Sequence, residues 1–466
     1  MKSIAVIVFS LAVCGASNAQ SFSVDSIGDG ISYEPEPEIR GINVDGHATG
    51  WMLTNQTQYN RGFFYNGAFT DLGYISQNTN VEGFDVNASN VVCGYAGSGT
   101  QIYPVKWSSG TFTTLGKLND EFAVAVAINS SGNTAGYYRK VVENVGTFDR
   151  ACKWLGTSIS SIPLIGSEGE GRASRATDIN SGGAVCGYCF VGGVQHAFVY
   201  SSGGTLTDIT PDTESGCDAV SINDSGWVLG NGFPDAEAPG SVWIWDGSTF
   251  IYLEEEISYQ PNPVDYDGIQ LVGMNNDGDS VGYIWLDLPN GPDYDAIMIE
   301  HRSNGTYAMW NTDGIMNSDT VEREFQRAAA INDSNQITIN GWDTTLDALA
   351  FILTPASTSM ALSTAEPVYP GSISNLECLG CTPGRTVTFV RGFDSGSTAV
   401  SGCSGLFIDI ANPTVMGSAV ADTFGRAQLS ASVPCAAAGL TIRLQAVENT
   451  CRKSNVDIVT VESDGC

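Results

Sequence analysis

Short segments in which apolar and polar residues alternate run through residues 22–355, and turn-forming residues separate them. In one stretch, residues 176–179, 184–188, 196–200 and 205–209 follow one another with Gly- and Ser-rich turns between them. Alternation with a period of two is typical of strands that bury one face. This stretch therefore predicts four short strands joined by turns.

The turn between the first two strands recurs along the chain as Asn-x-x-Gly, with Asn in place of Gly in two copies. The copies begin at Asn43, Asn87, Asn129, Asn180, Asn223, Asn275 and Asn332, at spacings of 44, 42, 51, 43, 52 and 57 residues. A period of this size indicates one supersecondary unit that is stacked many times. Seven units of four strands predict an all-β fold with a seven-bladed β-propeller.

The conformation of the turn explains the residue types at its two ends. Asn is favoured at the first position of a type I turn because its side chain bonds the backbone two residues later. The fourth position needs a positive φ, which Gly adopts without strain and Asn tolerates. The fourth residues are Gly46, Asn90, Gly132, Gly183, Gly226, Gly278 and Asn335. We expect these positions to be structural.

The two ends of the repeat region indicate how it closes. The seventh unit stops after its third strand, at residues 350–355, whereas residues 22–28 have the pattern of a fourth strand and match residues 69–73 and 112–116. An N-terminal strand beside Phe351 would complete the last blade and close a ring. An open β-solenoid is the alternative, and it leaves the N-terminal strand unexplained.

A second Gly and a following aromatic residue recur within the units. The glycines are Gly50, Gly94, Gly136, Gly187, Gly230 and Gly282, and the aromatic residues are Trp51, Tyr95, Tyr137, Tyr188 and Tyr283. A Gly inside a strand indicates a bulge or the close approach of another backbone. The next strand also carries large residues, at Phe64 and Tyr65, Trp107, Trp154, Phe198 and Tyr200, Trp243 and Trp245, and Phe351. The rings of both strands are expected to pack in the core, and a sugar-binding face is the alternative.

One unit resembles a known family. His196-Ala197-Phe198, a Gly turn, residues 206–208 and then residues 219–226 resemble the HAF-repeat proteins of bacteria. The resemblance covers roughly residues 22–355, and this unit alone has the literal His-Ala-Phe. It implies a secreted, repeat-built protein, and most members of the family have no known function.

The repeat ends after residue 355, and the rest of the chain has a different character. A small-residue linker, 356–360, precedes residues 361–466, where alternating segments at 386–390, 406–410, 428–433, 440–447 and 457–461 predict an immunoglobulin-like β-sandwich. This part resembles small β modules at the end of secreted proteins of environmental bacteria. In that comparison Cys403 and Cys451 are partners, and Cys381 with Cys435 is the second candidate disulfide.

The first 19 residues have the pattern of a secretory signal peptide, with Lys2, an apolar stretch at 4–13, and small residues at Ser17 and Ala19. Lipidation of Cys14 is the alternative. The expected division is therefore 1–19, 20–355, 356–360 and 361–466, in a secreted or cell-surface protein. No later stretch of 18 apolar residues exists, so no membrane span is expected.

The chain is strongly acidic. Its 51 acidic and 20 basic residues give a net charge of −31, which disfavours nucleic acid and anionic lipid because both are bound through Lys and Arg. The acidic residues are dispersed among the loops, which favours a role in solubility over an acidic binding face.

Candidate chemistry is sparse. The three histidines, His47, His196 and His301, fall in separate units, and we predict no catalytic residue. Cys186 and Cys189 have redox-motif spacing, but Cys186 matches the strand position of Cys93, and a disulfide between Cys189 and Cys217 is the alternative. Residues 275–280 look like part of a calcium loop without its bidentate Glu, so no cofactor is expected, with calcium as the weaker alternative.

These features predict a non-catalytic scaffold that binds an extracellular protein or glycan. One alternative is a carbohydrate-active enzyme, a lyase or glycoside hydrolase, with paired carboxylates at the mouth of the propeller. The other is a calcium-stabilised adhesion protein.

Overall fold

The computed structural model describes residues 22–27, 36–53, 59–76, 79–99, 101–118, 122–166, 171–233, 240–259, 266–288, 291–301, 306–312, 323–343, 348–355, 360–364, 368–382, 384–403, 406–422, 425–454 and 456–462. The predicted signal peptide, its alternative at Cys14 and most of the linker lie outside these ranges. One compact unit is Phe22–Pro355, and the other contains Ala356–Cys466. In the described ranges, no helix has the length and apolarity needed to cross a membrane.

The described part of Phe22–Pro355 forms seven small sheets, and the expectation of an all-β fold is confirmed. Six sheets comprise β2–β5, β6–β9, β10–β13, β14–β17, β18–β21 and β22–β26, and the seventh comprises β27–β29 together with β1. Strand pairing is antiparallel except between β22 and β26. The strands and one short helix are β1 (Phe22–Ile27), β2 (Glu36–Ile42), β3 (Ala48–Leu53), β4 (Asn60–Tyr65), β5 (Phe69–Asp71), β6 (Asn80–Val86), β7 (Val92–Ser98), β8 (Gln101–Ser108), β9 (Thr111–Thr114), β10 (Ala123–Ile128), β11 (Thr134–Val142), β12 (Gly146–Leu155), β13 (Ser158–Ser161), β14 (Gly171–Ile179), β15 (Val185–Val191), β16 (Val194–Tyr200), β17 (Leu206–Asp208), β18 (Cys217–Ile222), β19 (Val228–Gly232), β20 (Val242–Trp245), β21 (Phe250–Tyr252), α1 (Leu253–Glu256), β22 (Ile257–Tyr259), β23 (Gly268–Met274), β24 (Ser280–Leu288), β25 (Gly291–His301), β26 (Tyr307–Asn311), β27 (Arg323–Ile331), β28 (Ile337–Asp343) and β29 (Ala348–Pro355).

The seventh sheet joins the two ends of this unit. Its strand order is β1-β29-β28-β27, and Ser26 of β1 lies opposite Phe351 of β29. The N-terminal strand β1, whose sequence has the pattern of a fourth strand, therefore occupies the fourth position of the last sheet.

The core of this unit is divided into clusters that lie between consecutive sheets. Trp154 of the third sheet packs in one cluster with Cys93 of the second, and Trp243 of the fifth packs in another with Cys186 of the fourth. One cluster contains Phe63 of the first sheet and Ile352 of the last. Burial of apolar side chains is the main stabilising contribution of such interfaces.

The second unit is also built from strands. One sheet has the order β30-β31-β36, a second has β35-β32-β37-β38 with β39 beside β37, and a third pairs β33 with β34. The side chains of Phe389, Leu376 and Ala446 are buried in its core. Its elements are β30 (Ala361–Thr364), β31 (Ile373–Leu379), β32 (Thr386–Gly392), β33 (Ser395–Ala399), β34 (Phe407–Ile410), β35 (Thr414–Val420), β36 (Ala427–Ser432), the 3₁₀ turn Cys435–Ala437, β37 (Thr441–Glu448), β38 (Arg452–Lys453) and β39 (Asp457–Thr460).

Candidate functional site

The first strand of every repeat contributes to the wall of one cavity. The cavity has a volume of about 470 Å³ and is lined by β2, β6, β10, β14, β18, β23 and β27. Its volume lies within the range of small-molecule sites, which is about 300–1,000 Å³. The cavity is therefore the candidate functional site of this unit.

A β-bulge places one residue of each first strand in this wall. In all seven sheets the pairing of the first and second strands shifts register three residues before the turn Asn, for example between Ala176 and Asp178. The bulged residues all line the cavity, and they are Arg40, Phe84, Val126, Thr177, Val220, Val272 and Ala329. A bulge re-aims a side chain, so these seven positions determine the chemistry of the wall.

The second Gly of the repeat lies opposite the bulge. A Cβ on Gly187 would come within 2.1 Å of the carbonyl oxygen of Arg175, and one on Gly94 within 1.9 Å of that of Glu82. The close approach of two backbones therefore explains this Gly. The seventh sheet differs, because Ile339 stands where the other six have this Gly. Its first strand, β27, also has an additional register shift between Phe325 and Arg327.

The Asn turns form one end of the wall. Each turn Asn is buried, and its side-chain amide donates to the backbone carbonyl of the turn Asn in the next repeat, as Asn180 does to Asn223 over 3.0 Å. The fourth residue of the turn has a positive φ in all seven copies, from 56° at Asn335 to 89° at Gly278. These turns surround a second, smaller cavity of about 230 Å³. We call this end the asparagine mouth.

The other end, which we call the arginine mouth, is formed by Glu38, Arg40, Phe84, Tyr283, Arg327 and Asn340. Arg40 pairs with Glu38 at 2.5 Å, and its guanidinium carbon lies 5.5 Å from the centroid of the Phe84 ring. The guanidinium carbon of Arg327 lies 4.0 Å from the ring centroid of Tyr294 and 5.1 Å from that of Tyr283. At this opening, the guanidinium groups of two arginines therefore lie over the faces of aromatic rings.

The aromatic residue after the second Gly does not belong to the core. Trp51, Tyr95, Tyr137, Tyr188 and Tyr283 are all half-buried, so the core assignment is wrong for this position. Cross-strand pairing sets Tyr95 opposite Glu82, whose carboxylate accepts its hydroxyl over 2.6 Å, and sets Tyr283 opposite Gln270. The rings of the third strands, such as Trp107, Trp154 and Phe198, are buried as expected.

Two carboxylates lie in the cavity wall one residue after the bulge. Asp85 accepts the amides of Val86 and, from the next repeat, Ile128. Asp178 accepts the amides of Ile179 and Ile222 and the hydroxyl of Ser221. Burial raises the pKa of Asp85 to about 7, with a smaller contribution from the charge of Asp178, and burial also raises the pKa of Asp178.

These hydrogen bonds assign the two carboxylates a structural role. Each oxygen of both side chains accepts at least one donor, and each carboxylate bridges its own strand to the first strand of the next repeat. Such bonds favour the ionised form and partly offset the effect of burial on the pKa.

The three histidines do not come together. His47 contacts the side-chain oxygen of Asn90 at 2.7 Å, and His196 pairs with Asp208 at 2.9 Å. His301 stacks on Tyr307 with ring centroids 4.9 Å apart. Each ring thus has a local structural partner within or beside its own sheet.

The calcium-like segment at 275–280 forms the sixth Asn turn. Asp279 accepts the backbone amide of His301 over 2.8 Å, and its other oxygen accepts the side-chain amide of Asn275. In the residues that the structure describes, no group of three or more His, Cys, Asp or Glu side chains is arranged to hold a metal ion.

Two of the candidate disulfides are corrected by the structure. Cys189 and Cys217 are free thiols, because they lie in different interfaces: Cys189 of the fourth sheet packs toward the third sheet, whereas Cys217 of the fifth sheet packs toward the fourth. Cys381 is also a free thiol and lies against the carbonyl of Cys378 at 3.4 Å, whereas Cys435 is disulfide-bonded elsewhere. Cys186 is a free, buried strand residue.

The third candidate pair is bonded in the structure. Cys403 and Cys451 form a disulfide with Cα atoms 5.3 Å apart. It closes a loop with a sequence separation of 48 residues, so it restricts the unfolded chain considerably.

Sequence reasoning missed the bulge residues and the arginine mouth. A signal for the bulge was present, because the second Gly recurs at a constant distance from the turn Asn. The bulged residue itself varies from Arg40 and Phe84 to Ala329, so no repeat pattern drew attention to it.

Comparison with known proteins adds little to this geometry. No model of a protein family and no curated protein matches the chain. Among solved structures, the crystal structure of TolB from Acinetobacter baumannii aligns with a TM-score of 0.33 and 10% identity, over 66% of this chain and 80% of that chain. A likeness this weak carries no conclusion about the present protein.

Proposed function

We propose that residues 22–355 are a seven-bladed β-propeller closed by β1, in an exported protein of the HAF-repeat type with a C-terminal immunoglobulin-like β-sandwich. The seven sheets, the interface between Phe63 and Ile352, and the placement of β1 beside β29 support this architecture. The Asn-x-x-Gly repeat supports the family, and the signal-like residues 1–19 support export.

The function that we propose is a non-catalytic scaffold that binds an extracellular protein or glycan at the cavity. The single observation that carries it is the cavity of about 470 Å³ to which all seven first strands contribute a bulged residue. In a channel of this kind, a ligand contacts several repeats at once. Because the carboxylates of Asp85 and Asp178 are held by backbone amides, they are not arranged as free acid and base groups.

A binding screen with a blocked cavity tests this function. Purified protein is applied to a glycan array and to a panel of extracellular proteins. The variant Val126→Trp, which places a larger side chain at a bulged position of the cavity wall, is tested in parallel. The control is Ser160→Trp, at an exposed position of the outer strand β13. We expect Val126→Trp to abolish binding and the control to retain it. A ligand that both variants bind equally well would place the site elsewhere.

The enzyme alternative has its own readout. The same protein is incubated with a panel of polysaccharides, and new reducing ends or unsaturated products are measured. Cleavage that Asp178→Asn abolishes, while the fold is retained by circular dichroism, would show that the scaffold proposal is wrong.

A further inference from the structure

Arg327 differs from Arg40, the other arginine of the arginine mouth. Arg40 pairs with Glu38 at 2.5 Å. No carboxylate of the described residues lies within ion-pairing distance of Arg327, which is exposed at the arginine mouth. The chain has 51 acidic and 20 basic residues, and at this cavity Arg327 is a basic group without an acidic partner among the described residues.

The two tyrosines beside Arg327 contact its guanidinium group without accepting hydrogen bonds from it. The ring centroids of Tyr294 and Tyr283 lie 4.0 Å and 5.1 Å from the guanidinium carbon. A contact with the face of a ring leaves the N–H groups at the edge of the guanidinium free to donate. These groups form a planar fork that matches a carboxylate.

The neighbouring polar groups at this mouth are already engaged. The side-chain oxygen of Asn340 accepts the backbone amide of Ile39 over 2.9 Å, and its amide donates to the Ile39 carbonyl over 3.2 Å. The Tyr283 hydroxyl donates to Gln270. Among the described residues, Arg327 is therefore the guanidinium at this opening that no carboxylate neutralises.

We propose that the arginine mouth binds an acidic saccharide, with the carboxylate of a uronic acid residue on Arg327. The half-buried rings of Phe84 and Tyr283, which line the same mouth, provide apolar surface for the C–H face of the sugar ring. The cavity of about 470 Å³ has room for one or two sugar residues. This inference rests on the proposed binding function and specifies its ligand.

Calorimetric titration of the full chain with trigalacturonate tests the proposal, and the methyl ester of the same sugar removes the charge but keeps the ring. We expect the wild-type protein to bind the acid at least tenfold more tightly than the ester. Arg327→Gln should weaken binding of the acid at least tenfold and leave binding of the ester unchanged. Arg327→Lys should give an intermediate loss, because it keeps the charge but not the fork.

Arg61→Gln is the matched control. Arg61 also stacks on a tyrosine, Tyr74, at 4.9 Å, but it pairs with Asp71 and lies outside the cavity lining. Its removal should not change binding of the acid. Thermal unfolding of each variant shows whether the fold is retained. If Arg327→Gln does not fold, the comparison of acid with ester in the wild-type protein tests the uronate proposal.

The other outcomes separate this inference from the broader function. Equal binding of acid and ester, or unchanged binding by Arg327→Gln, would overturn the uronate proposal. A Glu-rich peptide or inorganic phosphate that binds more tightly than trigalacturonate would overturn it in favour of an acidic protein or a simple anion. If the cavity-blocking Val126→Trp still abolishes binding of a neutral glycan or a protein, the scaffold function stands and only the ligand class is wrong.

Discussion

The side-chain amide of Asn332 donates to the backbone carbonyl of Asn43 over 2.7 Å, across a sequence separation of 289 residues. The same bond links each earlier turn Asn to the next one, at distances from 2.9 to 3.4 Å. The series of seven bonds therefore returns to its starting point. Because the groups are buried, the loss of any one of these bonds leaves a buried polar group without its partner.

Replacement of one turn Asn is expected to destabilise the repeat unit. Asn332→Ala removes the donor to Asn43 and the acceptor for the amides of Ser334 and Gln336. Buried groups that lose a partner cost about 1–3 kcal/mol, so the free energy of unfolding in urea should fall by about that amount. Asn66→Ala, at an exposed turn, is the control and should change it by less than about 0.5 kcal/mol. Equal effects of the two changes would contradict the role of the bonds.

Deletion of residues 22–27 is expected to open the seventh sheet. β1 pairs with β29 along six residues, from Phe22 opposite Pro355 to Ile27 opposite Ala350. Without β1, β29 becomes an exposed edge, which promotes association between chains. We expect a lower melting temperature and a shift toward oligomers in size-exclusion chromatography. A chain that begins at residue 22 is the control, and identical behaviour of the two chains would show that β1 does not hold the sheet.

The strand Gly opposite the bulge is expected to tolerate no side chain. In Gly187→Ala the new Cβ would lie 2.1 Å from the carbonyl oxygen of Arg175, so the bulge must move. Overpacking of this kind costs about 1–3 kcal/mol. Gly203→Ala, where the nearest atom would be 3.8 Å away, is the matched control and should leave the urea midpoint almost unchanged. A stable Gly187→Ala variant would show that the close approach is not required.

The stability of the repeat unit is expected to fall as the pH rises from about 4 to about 7. Burial raises the pKa of Asp85 from 3.8 to about 7, so between these values the folded protein retains a proton that the unfolded chain releases. The contribution of this group to the free energy of unfolding is therefore largest at acidic pH and decreases up to about pH 7. Asp178, whose pKa is also raised by burial, acts in the same direction.

Urea unfolding of Asp85→Asn at pH 5 and pH 8 isolates this contribution. The wild-type protein should lose more stability than the variant between these two values, because the variant has no proton to lose. Asp212→Asn, at an exposed position, should follow the wild-type protein. A pH dependence that Asp85→Asn leaves unchanged would assign the titration to other groups.

The local features of the fold could be predicted from the sequence because each depends on neighbouring residues alone. Positive φ at the fourth turn position restricts that position to Gly or Asn, and all seven copies obey this rule, including Asn90 and Asn335. Alternation of apolar and polar residues predicted strands such as those of the fourth repeat. The recurrence of the turn indicated how many units there are.

The contacts between repeats were decided by the tertiary structure alone. The side-chain amide of Asn180 bonds to the next repeat, and Cys189 and Cys217 pack in different interfaces between sheets. The sequence does not show which residues of other repeats these groups will meet. The bulge that turns Arg40 and Phe84 into the cavity arises only when two strands are paired. The arginine mouth follows from that pairing and from the stacking of Arg327 on Tyr294, which bring distant residues together. Short-range backbone preferences are encoded residue by residue, whereas the chemistry of the cavity wall depends on how seven separate sheets pack against one another.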